Sequence, residues 1–154
     1  MIITKRFLQQ KQACQEGIDW VVANCQNKEA VDVIHALMGY KIDWANWLIV
    51  RVMTRPQYLT YAIFSAEQVI HIYEKKYPDN KKPRQAIEAA KAVLKDDTSE
   101  NRKLADAATY AATYAADAAT YAATDAADAD AARKEMLIKI LEYGISLMGK
   151  EAKP

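Results

Sequence analysis

Residues 98–132 read TSENRKLADAATYAATYAADAATYAATDAADADAA, and this stretch decides the fold class. Thr98, Thr109 and Thr120 align at intervals of eleven, with Asp106, Asp117 and Asp128 and Ala105, Ala116 and Ala127 in the same register. Eleven residues make three turns at about 3.67 residues per turn, close to the α-helical 3.6, so each position returns to nearly the same face. Alanine also has the best intrinsic helix propensity, which favours a helix before any tertiary contact forms. The pattern therefore predicts one helix over 98–132, introduced by the capping side chains and carboxylates of Asp96-Asp97-Thr98-Ser99-Glu100. Stepping about 100° per residue gathers Thr113, Thr124, Asp106, Asp117, Asp128, Tyr110, Tyr114 and Tyr121 into one sector. Thr109 and Thr120 lie at one margin of it and Asp125 at the other, and most of the remaining surface is alanine. Small side chains let a neighbouring helix come close, so the alanine side is expected to pack inward.

Working outward, a chain of 154 residues suits one domain, and the expectation is a single all-α bundle over 1–154. Four glycines and four prolines leave little material for the tight turns of a β-sandwich or barrel. A first helix is predicted from about Lys5 to Cys25, carrying Phe7, Leu8, Cys14, Ile18, Val21, Val22 and Cys25 at mostly helical intervals. A second runs from Lys28 to Met38 with Gly39 placed to end it, and a third from an Asp43 N-cap to Met53. Arg55-Pro56 opens a fourth that reaches Tyr77 before Pro78, and Pro83 opens a fifth, Arg84 to Lys95. An amphipathic pattern then follows the repeat from Arg133 to Met148, ahead of Gly149. Unbroken from Ser99, that last helix would be about 70 Å long. A bend or break near 129–133 is therefore expected.

Charge and motifs narrow the function classes. Twenty-one Lys plus Arg against twenty Asp plus Glu, a formal net charge of +1, do not make a strongly electropositive nucleic-acid binder. Met1-Ile2-Ile3-Thr4-Lys5-Arg6 turns polar too soon for a signal peptide, and no apolar run is long enough to span a bilayer, so a cytoplasmic protein with reduced thiols is expected. His35 and His71 have no partner at metal-ligand spacing, no glycine-rich phosphate loop exists, and no nucleophile–base pair stands out. No cofactor and no enzymatic activity are expected. Cys14 and Cys25 read as buried packing residues. Trp20, Trp44, Trp47, Tyr58, Tyr61, Phe64 and Tyr73 read as core, and the basic run Lys75, Lys76, Lys81, Lys82 and Arg84 as a solvated loop.

The repeat face remains as the candidate site. It carries five aspartates between Leu104 and Ala132 with no lysine or arginine, beside three tyrosines. Tyrosine is enriched at binding hot spots, and clustered carboxylates attract basic partners. Tyr110, Tyr114, Asp117, Tyr121, Asp125 and Asp128 are the expected partner-binding residues, against the alternative that this is the solvated side of a surface helix.

The stretch from Ala62 to Ala90 resembles the Imm-5-like family of bacterial and phage immunity proteins. Its most specific part is Tyr77-Pro78-Asp79-Asn80 leading to Pro83-Arg84-Gln85-Ala86-Ile87-Glu88. The resemblance takes in Cys14-Gln15-Glu16-Gly17-Ile18-Asp19-Trp20, Asp43-Trp44-Ala45-Asn46-Trp47-Leu48 and the alanine repeat, hence most of the chain. It implies an antitoxin in a polymorphic toxin system, and it brings no catalytic residues; together with the Tyr/Asp face, the expectation is a protein that binds and occludes a toxin with a basic active-site surface. Two other classes fit the repeat face: self-association as a homo-oligomeric scaffold, and ice binding through threonines spaced about 16 Å apart.

Overall fold

The computed structural model describes residues 1–103 and 129–149, and within them the protein is all-α. Seven helices follow in chain order: α1 (Lys5–Gln10), α2 (Gln15–Asn24), α3 (Ala30–Tyr40), α4 (Ile42–Val52), α5 (Arg55–Lys76), α6 (Lys82–Lys95) and α7 (Ala129–Met148). The chain separates into two compact units, Met1–Thr54 with Leu137–Pro154, and Arg55–Met136.

In the first unit, α1 packs on α2 and α3 on α4. Buried Ala30, Val33, Ile34 and Leu37 fall at i, i+3, i+4 and i+7 of α3, and Ala45, Leu48 and Ile49 repeat the pattern on α4. The N-terminal residues are tied in by backbone bonds from Ile3 N–H to the Lys28 carbonyl (3.1 Å) and from Ala30 N–H to the Met1 carbonyl (2.9 Å). They form an isolated antiparallel bridge, Ile2 with Glu29, and leave Ile3 buried.

The expected Lys5–Cys25 helix is two helices. After α1, Gln12 N–H donates to the Gln9 carbonyl and Ala13 N–H to the Leu8 carbonyl, both at 3.0 Å, while Gln12 takes a φ of 59°. That is a Schellman closure, in which a left-handed residue turns the chain out of the helix and satisfies its last carbonyls. The position usually falls to glycine, so a glutamine there gives no sequence signal. Conversely, Gly39 does not end α3, which continues to Tyr40 and stops at an extended Lys41, φ −136° and ψ 95°. Lys41 also precedes the first residue of α4, so the expected N-cap Asp43 lies in that helix's first turn instead. Gly39 has no positive φ, and a Cβ there would meet nothing within 4 Å. Gly39→Ala is expected to stabilise the first unit by about 0.4–1 kcal/mol, read as an increased urea midpoint, because it removes backbone freedom from the unfolded chain alone.

The second unit is built on an α5–α6 hairpin. Ile63 and Ile70 of α5 and Ile87 of α6 form a core cluster with Ala66 and Ala90 packed against it, and Tyr73, Pro83, Ala86 and Val93 are also buried on these helices. The turn between them uses Asn80 three ways. Its backbone N–H donates to the Tyr77 carbonyl (3.1 Å), its Nδ2 to the Tyr73 hydroxyl (2.6 Å), and its Oδ1 accepts from Lys82 N–H (3.1 Å). Asn80→Ala is expected to cost about 1–2 kcal/mol in urea unfolding, since two side-chain bonds vanish and the buried Tyr73 ring loses the partner of its hydroxyl. Asn80→Asp keeps the acceptor for Lys82 N–H and should lose roughly half as much.

Thr98 caps the helical turn at residues 99–103, as expected of a capping side chain there, its Oγ1 accepting from Asn101 N–H at 3.1 Å. At the far end α7 runs from Ala129 to Met148 without interruption, so the break expected at 129–133 is not found among the described residues. Alanine and good helix formers on both sides of Arg133 allow that continuity. The body of the repeat, residues 104–128, lies outside the described residues.

Candidate functional site

The residues expected to bind a partner, Tyr110, Tyr114, Asp117, Tyr121, Asp125 and Asp128, fall in that segment and lie outside the described residues. Within them, the side chains with the most chemistry to offer gather in the first unit. Trp20 of α2 stacks on Tyr40 at the end of α3, with ring centroids 4.8 Å apart and planes 10° from parallel. Tyr40 meets the Trp44 ring of α4 edge-on at 5.9 Å and is half exposed. Lys41 Nζ lies 4.3 Å from the centre of the Trp44 ring and donates to Glu16 Oε1 at 2.6 Å. The hydrogen bond to Glu16 raises the Lys41 pKa above its ordinary value. Lys41 therefore stays an ammonium near neutral pH, suited to holding an anion or a π face rather than to acting as a base.

This ladder follows from helix geometry. Glu16 and Trp20, four apart on α2, share a face, and the extended Lys41 between α3 and α4 delivers Tyr40 and Trp44 to that face from opposite sides. The sequence reading placed the three tryptophans in the core, but all three are half-buried, as is Phe64, and Tyr58 is exposed. Tyr61 and Tyr73 are the members of that group that are buried. A tryptophan at helical spacing reads as core because its size dominates the pattern, whereas its indole commonly keeps one edge wet.

Beside the ladder a cleft of about 250 Å³ opens among α1, α2, α3 and α4, lined by Leu8, Val21, Leu37, Trp44, Trp47 and Leu48. The Arg51 guanidinium lies 3.9 Å from the centre of the Trp47 ring and donates to the Trp47 carbonyl at 2.8 Å. Cys14, expected to be buried, is exposed and lines the cleft, because the chain leaves α1 at the left-handed Gln12 and enters α2 there; Cys25 is buried. Gly17 lets α2 approach closely, since a Cβ on it would meet Cys14 Sγ at 3.3 Å and the Trp44 ring at 3.9 Å.

In the second unit the described charged side chains form several ion pairs. Arg84 grips Glu74 with two bonds of 2.9 and 2.7 Å, which hold the Glu74 carboxyl below its ordinary pKa. Lys91 reaches Glu67 at 2.9 Å and Glu88 at 3.0 Å. Asp97 accepts from Arg102 at 2.7 Å and from Arg55 at 3.3 Å, and its pKa is lowered chiefly by Arg102. Lys75, Lys76, Lys81 and Lys82 are exposed, as expected of a solvated loop. Among the described residues no three His, Cys, Asp or Glu side chains are placed to hold a metal ion. No described helix is long and apolar enough to cross a membrane.

The model of one protein family, the Imm-5 like putative immunity proteins, matches residues 49–136, more than half of the chain. The chain belongs to this family. Neither the curated proteins nor the solved structures contain a match. The Imm-5-like match takes in the whole second unit, Arg55–Met136, and ends on the same residue. It includes the alanine repeat, whereas the segments Cys14–Trp20 and Asp43–Leu48, which the sequence resemblance also took in, precede it. The residues that made the Imm-5-like resemblance specific have structural work in this unit: Asn80 builds the α5–α6 turn, Pro83 opens α6, and Arg84 holds Glu74.

Proposed function

We propose that the protein is an immunity protein that binds a protein toxin and blocks it by occlusion, acting in the cytoplasm of the cell that makes it. The observation that carries this reading is the extent of the Imm-5-like match, which covers the second unit and the repeat together. The ion pairs of this unit are consistent with a binding scaffold: Arg55, Arg84, Lys91 and Arg102 pair with Asp97, Glu74, Glu67 and Asp97 respectively, and these pairs fasten the hairpin that leads into the repeat. The proposed contact surface is the repeat face. Tyr110, Tyr114 and Tyr121 would anchor in the partner, and Asp117, Asp125 and Asp128 would pair with its Lys or Arg side chains and speed encounter with a basic surface.

Affinity capture on the tagged full-length chain, from cells that make it, tests the reading. A toxin-like protein with a basic surface should be retained. Changing Tyr110, Tyr114 and Tyr121 together to alanine should weaken retention at least tenfold, since a hot-spot aromatic contributes about 2 kcal/mol or more. Capture that survives the triple substitution would remove the face from the proposal, and a capture that yields no partner would remove the immunity function.

A further inference from the structure

We propose that the cleft of the first unit is a binding site for a small neutral ligand of one or two rings. Its buried end is wholly apolar, formed by Leu8, Val21, Leu37 and Leu48, each no more than 5% exposed. Its walls are the indoles of Trp44 and Trp47. At the open end lie Gln12, whose carboxamide can exchange a hydrogen bond with a ring N–H or hydroxyl, and the Cys14 thiol. An apolar shell with a few polar groups at one end is the usual composition of small-molecule sites.

Three observations set the ligand class. A dry apolar cavity of about 150 Å³ accommodates benzene, so about 250 Å³ suits a bicyclic molecule. The lining contains no charged side chain, and the nearby cations are engaged elsewhere, Lys41 with Glu16 and Arg51 with Trp47. A charged ligand would lose its hydration without a counterion, whereas a neutral one would not. Both indoles are also held in place from outside the ligand's space, Trp44 by Tyr40 and Lys41 and Trp47 by Arg51, so binding would immobilise little. Gln12 reaches its place through the left-handed backbone that closes α1, a conformation costly for any residue but glycine and one that recurs at ligand sites.

Every lining residue lies between positions 8 and 48, ahead of the matched segment 49–136, so the proposal stands or falls apart from the immunity function. The test is a titration of the ¹⁵N-labelled full-length chain with indole as probe. The side-chain N–H signals of Trp44 and Trp47 should shift saturably, with a Kd on the order of 0.1–1 mM. Trp20, stacked on Tyr40 and absent from the cleft lining, is the internal control and should move far less. Benzoate, similar in size but anionic, should bind at least tenfold more weakly. Cys14 is exposed and makes no side-chain cap bond, so Cys14→Trp should fold and block the mouth, weakening indole at least tenfold. Magnetisation transfer from bound indole to the methyls of Leu8 and Leu48 in the wild-type chain checks the location whether or not the tryptophan variant folds. Shifts that stay linear or spread evenly over all three tryptophans, the absence of that transfer, or wild-type affinity in a folded Cys14→Trp would each overturn the site.

Discussion

Ile34→Ala is expected to lower the stability of the first unit by roughly 2–5 kcal/mol, the range for deleting a buried isoleucine's outer methyls and leaving a cavity. Ile34 has no exposed surface, and it sits in the middle of the α3 stripe between Val33 and Leu37, on the helix that packs against α4. Domains of this size have only about 5–15 kcal/mol in total, so the loss should appear as a large fall in the urea midpoint. Tryptophan fluorescence is the suitable probe, because Trp20, Trp44 and Trp47 all belong to this unit. A loss below about 1 kcal/mol would mean that α3 is not packed as described. Far-UV ellipticity, recorded in parallel, follows the helices of both units. Coincident transitions would support the proposal that the whole chain acts as a single helical domain, and separated ones would count against it.

Alkaline pH should destabilise the second unit through Tyr61. The residue is 4% exposed, and burial pushes the phenol from its ordinary value of 10 up to about 12. A buried anion costs more than an exposed one, so the folded state holds the proton that the unfolded state releases. The sign follows: the contribution is intact below pH 10 and is lost progressively as pH rises from 10 to about 12. A two-unit shift corresponds to a ceiling of roughly 2–3 kcal/mol. Urea unfolding at a series of pH values above 9, with Tyr61→Phe beside the wild type, checks it. The variant should show a shallower decline over that interval whatever its starting stability, and equal slopes would place the alkaline sensitivity elsewhere.

How much was legible in the chain depended on whether a local rule was enforced by local chemistry. Pro56 and Pro83 open α5 and α6 where the reading put them, because a proline's fixed φ and missing N–H suit a first turn whatever surrounds it. Thr98 caps the helical residues 99–103 for an equally local reason, since the bond it makes is to the N–H three residues ahead. The family was legible too, through Tyr77–Glu88, since a hairpin turn and its anchoring ion pair demand particular residues at particular places. The split between α1 and α2 was not legible. Gln12 adopts a conformation that its own chemistry disfavours, and the bonds closing α1 hold it there. Gly39 misled in the opposite direction: a glycine is free to end a helix but not obliged to, and here the chain turns at Lys41 instead.

The alanine repeat with which the chain announces itself, with its capping residues and the scarcity of glycine and proline, pointed to an all-α protein, because helix propensity and an eleven-residue period act within a few turns of backbone, and the described residues are all-α. The same residues point to a Tyr/Asp face as the place to test partner binding. Only the tertiary structure decided where the tryptophans stand. Trp44 and Trp47 wall the cleft that Leu8, Val21, Leu37 and Leu48 floor, while Trp20, up to 27 positions away, stacks on Tyr40 beside it. Burial and the approach of one helix to another depend on contacts distant in sequence, and periodicity alone cannot distinguish an indole that fills a core from one that walls a cleft.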